Sequence, residues 1–144
     1  MNIEIMQALI TIIAVLVFTT ILYKAMPYRE LSATKPGFVF FPKYKHRVAK
    51  PDSDFHVEEV MSSLGFRKKE SLNGITMYSR GSVLGDISIK LIKVNVTFTP
   101  MNDGSLEYTV EPAWVVAFDT GDHWLFSKEL GDKLLSESDT SSDN

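Results

Sequence analysis

The first pattern in the chain is an uninterrupted apolar run near its N-terminus. Residues 5–23 read IMQALITIIAVLVFTTILY and carry no charge. A helix of this length, at ~1.5 Å per residue, spans nearly the ~30 Å hydrocarbon core of a bilayer. Pro27 follows at a position suited to end the helix, and a basic stretch of the kind that opens a signal peptide is missing before the run. Residues 1–26 are therefore predicted to be a transmembrane anchor.

Basic residues on one side of this run indicate its direction in the membrane. Lys24, Arg29 and Lys35 follow the run, and neither Lys nor Arg precedes it. Lys and Arg are enriched in the cytoplasmic loops that flank membrane helices. The pattern predicts a cell-membrane protein (inner or plasma membrane) that crosses once, with its N-terminus outside and its C-terminal domain in the cytoplasm.

Beyond the anchor, shorter alternating segments bounded by turn residues predict a folded domain. Asp52 or Ser53 is expected to cap a first helix, and Gly65 is expected to end it. Asn73-Gly74 predicts a tight hairpin turn. Residues 87–99 alternate with one slip in phase, which predicts a long strand with a bulge.

The last third of the chain predicts further strands and a second helix. A hairpin turn is expected at residues 101–104, followed by alternating residues 106–110 and an apolar strand at 114–118. Residues 119–121 are expected to begin the final helix. The side chains expected to anchor that helix are Trp124, Leu125, Leu130, Leu134 and Leu135.

This order of elements predicts an α+β fold. A single N-terminal transmembrane helix precedes a two-layer domain, in which an antiparallel sheet of about four strands carries two helices on one face, in the order α-β-β-β-β-α. The predicted divisions are an anchor at 1–26, a basic juxtamembrane linker with a candidate edge strand at 27–50, a globular domain at 51–135 and a disordered, acidic, serine-rich tail at 136–144.

Composition and charge narrow the range of partners. The 144 residues include no cysteine and carry a net charge of −3, which excludes disulfides and thiolate metal ligands. Basic residues concentrate between 24 and 50 while the remainder is acidic, so nucleic acid is not an expected partner.

The basic segment between residues 24 and 50 is one that an anionic cytoplasmic leaflet attracts. Membrane-surface contact is predicted at Lys24, Arg29, Lys43, Lys45 and Arg47. The alternative is a solvated segment that only helps to fix the direction in which the chain crosses the membrane.

Small and polar residues follow one line along the predicted membrane helix. Gln7, Thr11 and Ala14 fall at i, i+4 and i+7. Small residues let membrane helices approach closely, and polar side chains hydrogen-bond between them. The stripe predicts packing against a helix of another membrane protein, although threonine and alanine are also ordinary residues in membrane helices.

One short motif suggests chemistry. Phe118-Asp119-Thr120-Gly121 resembles the catalytic loop of aspartic proteases, a likeness that would make Asp119 the centre of a hydrolase. In that family strands and a flap follow the loop, whereas a helix and a tail are expected here. The favoured interpretation is that Asp119 or Thr120 caps the final helix. Asp119, Asp122 and His123 diverge in direction at a helix start, so no metal site is predicted there.

The sequence therefore leads to a hypothesis without catalysis. No catalytic residue, metal or cofactor is predicted. The leading hypothesis is a membrane-anchored accessory or scaffold protein whose small cytoplasmic domain mediates protein–protein interaction at the membrane surface, with the bilayer and another membrane protein as partners. The alternative is a membrane-tethered domain that binds a lipid or small ligand in an apolar pocket.

Overall fold

A computed structural model of the chain describes residues 2–49, 54–80, 94–112 and 118–136. Its elements, in chain order, are α1 Ile3–Ala25, β1 Arg29–Glu30, β2 Val39–Phe40, β3 Tyr44–Ala49, α2 Asp54–Ser63, β4 Arg67–Leu72, β5 Ile75–Arg80, β6 Val94–Pro100, β7 Ser105–Pro112, β8 Phe118–Asp119 and α3 Asp122–Ser136. The fold is α+β, as predicted.

The N-terminal helix α1 is 23 residues long and exposes nearly all of its apolar side chains. By length and composition it can cross a membrane, and a signal sequence passes the same test. Its last turn differs from the rest, because Tyr23 is buried. The end of α1 thus packs against the remainder of the protein.

The main sheet has six strands in the order β1-β3-β7-β6-β5-β4. Its pairs are antiparallel except for β1 and β3, which run parallel. The strands β2 and β8 form a separate two-stranded sheet. The predicted sheet of about four antiparallel strands was therefore too small and too uniform.

Residues 27–50 account for most of that difference. They contribute β1 and β3 to the main sheet and β2 to the small one. The predicted edge strand near Phe38 exists, but it is two residues long and pairs with β8. These residues thus form part of the domain, where a linker was expected.

The signals for the Asn73-Gly74 turn and for the end of α2 at Gly65 were correct. Asn73 and Gly74 have positive φ angles of 53° and 81°, as a two-residue hairpin turn between β4 and β5 requires. Gly65 has a φ of 81° after α2, and the Phe66 N–H donates to the Met61 carbonyl at 2.9 Å. The buried Phe66 ring then folds back on the helix as the glycine cap predicts.

Both α2 and α3 pack onto the sheet through one apolar cluster. Alternate residues of β6 and β7, such as Val96 and Tyr108, meet Met61 of α2 and Leu130 of α3 there. Of the expected anchors of α3, Trp124, Leu130 and Leu134 are buried. Leu125 and Leu135 are exposed, Leu125 because it lies on the opposite face of the helix.

Several predictions lie outside the described residues. These are the cap at Asp52 or Ser53, residues 87–93 of the bulged strand, the apolar strand up to residue 117 and the tail from residue 137.

Candidate functional site at the junction of the apolar helix and the sheet

The most unusual side chain of the described structure is a buried lysine beside the end of α1. Lys43 precedes β3 and has only 2% of its surface exposed. Its ammonium donates hydrogen bonds to the carbonyl oxygens of Met26 at 3.0 Å and Tyr23 at 3.2 Å, and it lies 3.5 Å from that of Lys24. The last carbonyls of a helix lack partners within the helix and carry partial negative charge, so Lys43 caps α1.

Two tyrosine rings enclose the same ammonium. Lys43 Nζ lies 4.5 Å from the ring centre of Tyr28 and 5.3 Å from that of Tyr23. The faces of aromatic rings attract cations, and the attraction strengthens where water is excluded. Phe41 packs against Tyr23 with 5.7 Å between ring centres. The end of α1 is therefore held by a charge and by aromatic packing together.

An acidic residue of the sheet completes the junction. Glu111 of β7 places Oε2 3.9 Å from Lys43 Nζ. Burial raises the pKa of Tyr28 to about 12, to which the charge of Glu111 and its hydrogen bond with the phenol add, while a hydrogen bond with Thr109 opposes the rise. We name the five residues Tyr23, Tyr28, Phe41, Lys43 and Glu111 the helix seat.

The raised pKa of Tyr28 predicts a loss of stability at high pH. Folding favours the neutral phenol, so its contribution is complete below the ordinary pKa of 10.0 and is lost as the pH rises through about 12. We expect the free energy of unfolding to fall across this range, and to fall less steeply in Tyr28→Phe. Denaturant unfolding at a series of pH values measures both slopes. Equal slopes would show that Tyr28 ionises as in the unfolded chain.

The backbone leaves little freedom at the same junction. Only Met26, Pro27 and Tyr28 separate the end of α1 from β1. The Arg29 N–H then donates to the Lys43 carbonyl at 2.7 Å, and the Leu31 N–H to the Lys45 carbonyl at 3.1 Å. A three-residue connection containing proline, fixed at one end by sheet pairing, cannot act as a flexible tether.

Of the residues predicted to contact the membrane surface, Lys43 takes a different role. Its ammonium is bonded inside the protein and is not presented to lipid. Lys24 and Arg29 are exposed beside the end of α1. Lys45 lies 3.7 Å from Glu30, and Arg47 lies 3.3 Å from Glu107. Membrane contact by these four residues stays a prediction.

The predicted packing stripe lies on the exposed surface of α1. Gln7, Thr11 and Ala14 are all solvent-accessible in the isolated chain. The Thr11 hydroxyl donates to the Gln7 carbonyl at 2.9 Å, one turn back along the same helix. The stripe is available to a partner helix, and its use stays a prediction.

The Asp-Thr-Gly motif has a structural role in the fold. The helix α3 begins at Asp122, and the Leu125 N–H donates to the Gly121 carbonyl, so Gly121 stands at the cap position. The expected cap at Asp119 or Thr120 was therefore wrong, because Asp119 belongs to β8 and pairs with Val39. A Cβ on Gly121 would lie 2.9 Å from the Pro36 carbonyl oxygen, which explains the glycine.

A second basic residue binds the end of a helix on the other side of the domain. The Arg80 guanidinium donates to the Leu64 carbonyl at 2.8 Å, and it lies 4.9 Å from the ring centre of Phe66 and 5.3 Å from that of Phe126. Burial lowers the pKa of Arg80, and Glu129 opposes that shift. A recess of about 250 Å³ beside Arg80 is also lined by Asp122, His123 and Glu129.

Among the described ranges, no group of three or more His, Asp or Glu side chains is arranged to hold a metal ion.

The sequence patterns did not predict the helix seat, because Lys43 stands in a run of basic residues that resembles a solvated surface. A local signal was present, since the lysine lies between Pro42 and Tyr44, both of which are buried.

Comparison of the chain with protein-family models, with curated proteins and with solved structures gave no match.

Proposed function

We propose that this protein is a single-pass membrane-anchored accessory or scaffold protein, whose small cytoplasmic domain docks a partner protein at the membrane surface. The observation that carries the proposal is the helix seat. A domain that only needed to stay near the membrane would be served by a flexible linker. Capping of α1 by Lys43 instead gives the domain a fixed orientation to its helix.

A fixed orientation favours docking because less freedom is lost on binding. A partner that lies in the same membrane meets the domain at a defined height and angle, so association orders fewer groups. The exposed stripe of Gln7, Thr11 and Ala14 supplies a second contact within the bilayer. Two contacts joined by a rigid junction bind more tightly than either contact alone.

The same proposal includes two statements about α1: it crosses the membrane with the domain on the cytoplasmic side, and it is not cleaved off. Lys24, Arg29 and Lys35 follow α1 and favour a cytoplasmic domain. Cleavage directly after α1 would remove the carbonyls of Tyr23 and Lys24 and would leave the buried ammonium of Lys43 without them. The helix seat thus supports an anchor over a cleaved signal sequence.

The alternative, a lipid or ligand binder, has less support. The recess beside Arg80, at about 250 Å³, is smaller than the ~300–1,000 Å³ usual for ligand pockets. Recesses of about 360, 470 and 500 Å³ elsewhere on the described residues reach that size, but each includes charged side chains in its lining. Apolar side chains such as Phe126 line part of the recess beside Arg80. The charged side chains of Arg80, Asp122 and Glu129 line it too, and an apolar ligand would offer those charges no polar partner. We therefore favour docking of a protein.

Extraction of the tagged protein from its native membrane in mild detergent, followed by mass spectrometry, tests the proposal. We expect a membrane protein to co-purify in stoichiometric amount with the full chain and to be lost when residues 38–144 are removed. A matched variant, with Gln7, Thr11 and Ala14 all replaced by leucine, is expected to recover less of the partner while the domain stays folded. A partner that is retained in full without residues 38–144 would contradict docking by the domain.

A further inference from the structure

Two phenylalanine side chains are exposed beside the end of α1. Phe38 exposes 53% of its surface and Phe40 exposes 60%. Their rings meet edge to face with 4.9 Å between centres. The pair forms one continuous apolar projection, which is costly in water and is typical of a contact surface.

The local fold forces both rings outward. Val39 lies between them and is buried, and successive side chains of a strand point to opposite sides. Pairing of β2 with β8 fixes this alternation, with Val39 opposite Asp119 and Phe40 opposite Phe118. A one-residue shift would bury the rings and expose Val39, so the register of β2 maintains the projection.

The projection lies next to the C-terminal end of α1, where the apolar run of the sequence ends. Phe41, the next residue, packs on Tyr23 in the last turn of α1. The Arg29 guanidinium donates to the Phe40 carbonyl at 3.2 Å, which ties the projection to the segment that follows the helix. The polar zone of a bilayer surrounds a spanning helix at this level.

We propose that Phe38 and Phe40 insert into the lipid interface beside α1 and form a second membrane contact of the domain. The inference rests on the proposed function, because it requires α1 to span the bilayer. Charge favours lipid as the occupant: Lys24 is exposed in the last turn of α1 and Arg29 is exposed beside Phe40, and both match anionic headgroups. Aromatic side chains flanked by basic residues are the combination with which peripheral segments enter the headgroup region.

Exposure of an apolar side chain does not by itself place that side chain in lipid, and Leu72 of the same domain provides a control. Leu72 at the β4–β5 hairpin is 71% exposed, more than either phenylalanine. Leu72 lies in β4, at the opposite edge of the main sheet from β1. The two strands are five strand spacings apart, which is roughly 24 Å. If lipid contact follows from position beside α1, then Phe40 is in lipid and Leu72 is in water.

Spin labels in the full-length protein test this directly, because the chain has no cysteine of its own. Single variants Leu16→Cys, Phe40→Cys and Leu72→Cys are labelled with a nitroxide and reconstituted into vesicles of phosphatidylethanolamine and phosphatidylglycerol. Power saturation then compares collisions with oxygen, which concentrates in lipid, and with a water-soluble nickel chelate. Tryptophan fluorescence, to which the buried Trp124 contributes, verifies that each variant is folded.

We expect the Leu16 and Phe40 labels to collide preferentially with oxygen, Leu16 more so, and the Leu72 label to collide preferentially with the chelate. Adding Phe38→Asp to the Phe40→Cys variant is expected to abolish the oxygen preference at Phe40. A Phe40 label in water together with a Leu16 label in lipid overturns the insertion and leaves the anchor intact. A Leu16 label in water contradicts the proposed function itself.

Discussion

Replacing Lys43 with methionine is expected to lower the free energy of unfolding of the domain by about 2–4 kcal/mol. Methionine fills a similar volume but donates no hydrogen bond. The Met26 and Tyr23 carbonyls lose the hydrogen bonds that Lys43 donates, and Glu111 loses the cation beside it. Urea unfolding of the full chain in mild detergent, followed by tryptophan fluorescence, measures the change.

Lys45 provides the matched control for this substitution. It lies two residues further along the chain, in β3, with its side chain more than a third exposed and 3.7 Å from Glu30. Surface ion pairs contribute at most about 1 kcal/mol, so Lys45→Met is expected to change stability little. Equal effects of the two substitutions would mean that Lys43 behaves as a surface residue and does not cap α1.

Replacing Gly121 with alanine is expected to destabilise the domain by about 2–4 kcal/mol. Gly121 has a φ of 99°, which alanine adopts with strain. Its Cβ would also lie 2.9 Å from the Pro36 carbonyl oxygen and 2.6 Å from Lys35 Cε. The Lys35 side chain can move away, whereas the backbone oxygen moves only with its chain segment, which Trp124 of α3 ties down by donating to the Ser32 carbonyl at 2.9 Å. The same urea titration measures the loss.

Gly104→Ala separates the two causes. Gly104 also has a positive φ, 84°, but a Cβ there would meet nothing within 4 Å. Its substitution is expected to cost only the conformational strain, about 1–2 kcal/mol. If Gly121→Ala and Gly104→Ala cost the same, the close approach of Pro36 to Gly121 is wrong. An undiminished stability of both variants would show that neither glycine is required by the backbone.

Features encoded by neighbouring residues were predictable from the sequence. The Asn73-Gly74 turn and the Gly65 cap each depend on a backbone conformation that few residue types adopt, so a short motif identifies them. The alternation of residues 106–110 likewise matches β7, where Leu106, Tyr108 and Val110 are buried. The apolar run that predicts the spanning helix corresponds to α1.

Features that depend on distant contacts were not predictable from these patterns. The strand β1 is two residues long and exists because β3 lies parallel to it, so residues 27–50 carry no strong periodic signal of their own. Within β3, Tyr44 and Val48 are buried on either side of His46, and the intervening basic residues hide the alternation. The predicted sheet therefore lacked these strands.

The helix seat was missed for a related physical reason. A lysine is normally a surface residue, and only its partners reveal when burial is tolerated. Those partners are backbone carbonyls of α1, two tyrosine rings and Glu111, which is distant in sequence. Composition and spacing describe none of these contacts, because backbone carbonyls are present at every residue. Pro42 and Tyr44 beside Lys43 were the available hint.

Rigidity of the junction between α1 and the domain can be measured as a distance. Thr20→Cys in α1 and Asn102→Cys in the β6–β7 turn, both carrying nitroxides, report the separation of helix and domain by pulsed electron resonance in lipid nanodiscs. We predict a single narrow distance distribution for the otherwise unchanged chain and a broad one when Lys43→Met is added. A broad distribution in the presence of Lys43 would mean that the domain swings freely on its anchor, which would contradict the helix seat and the docking function proposed from it.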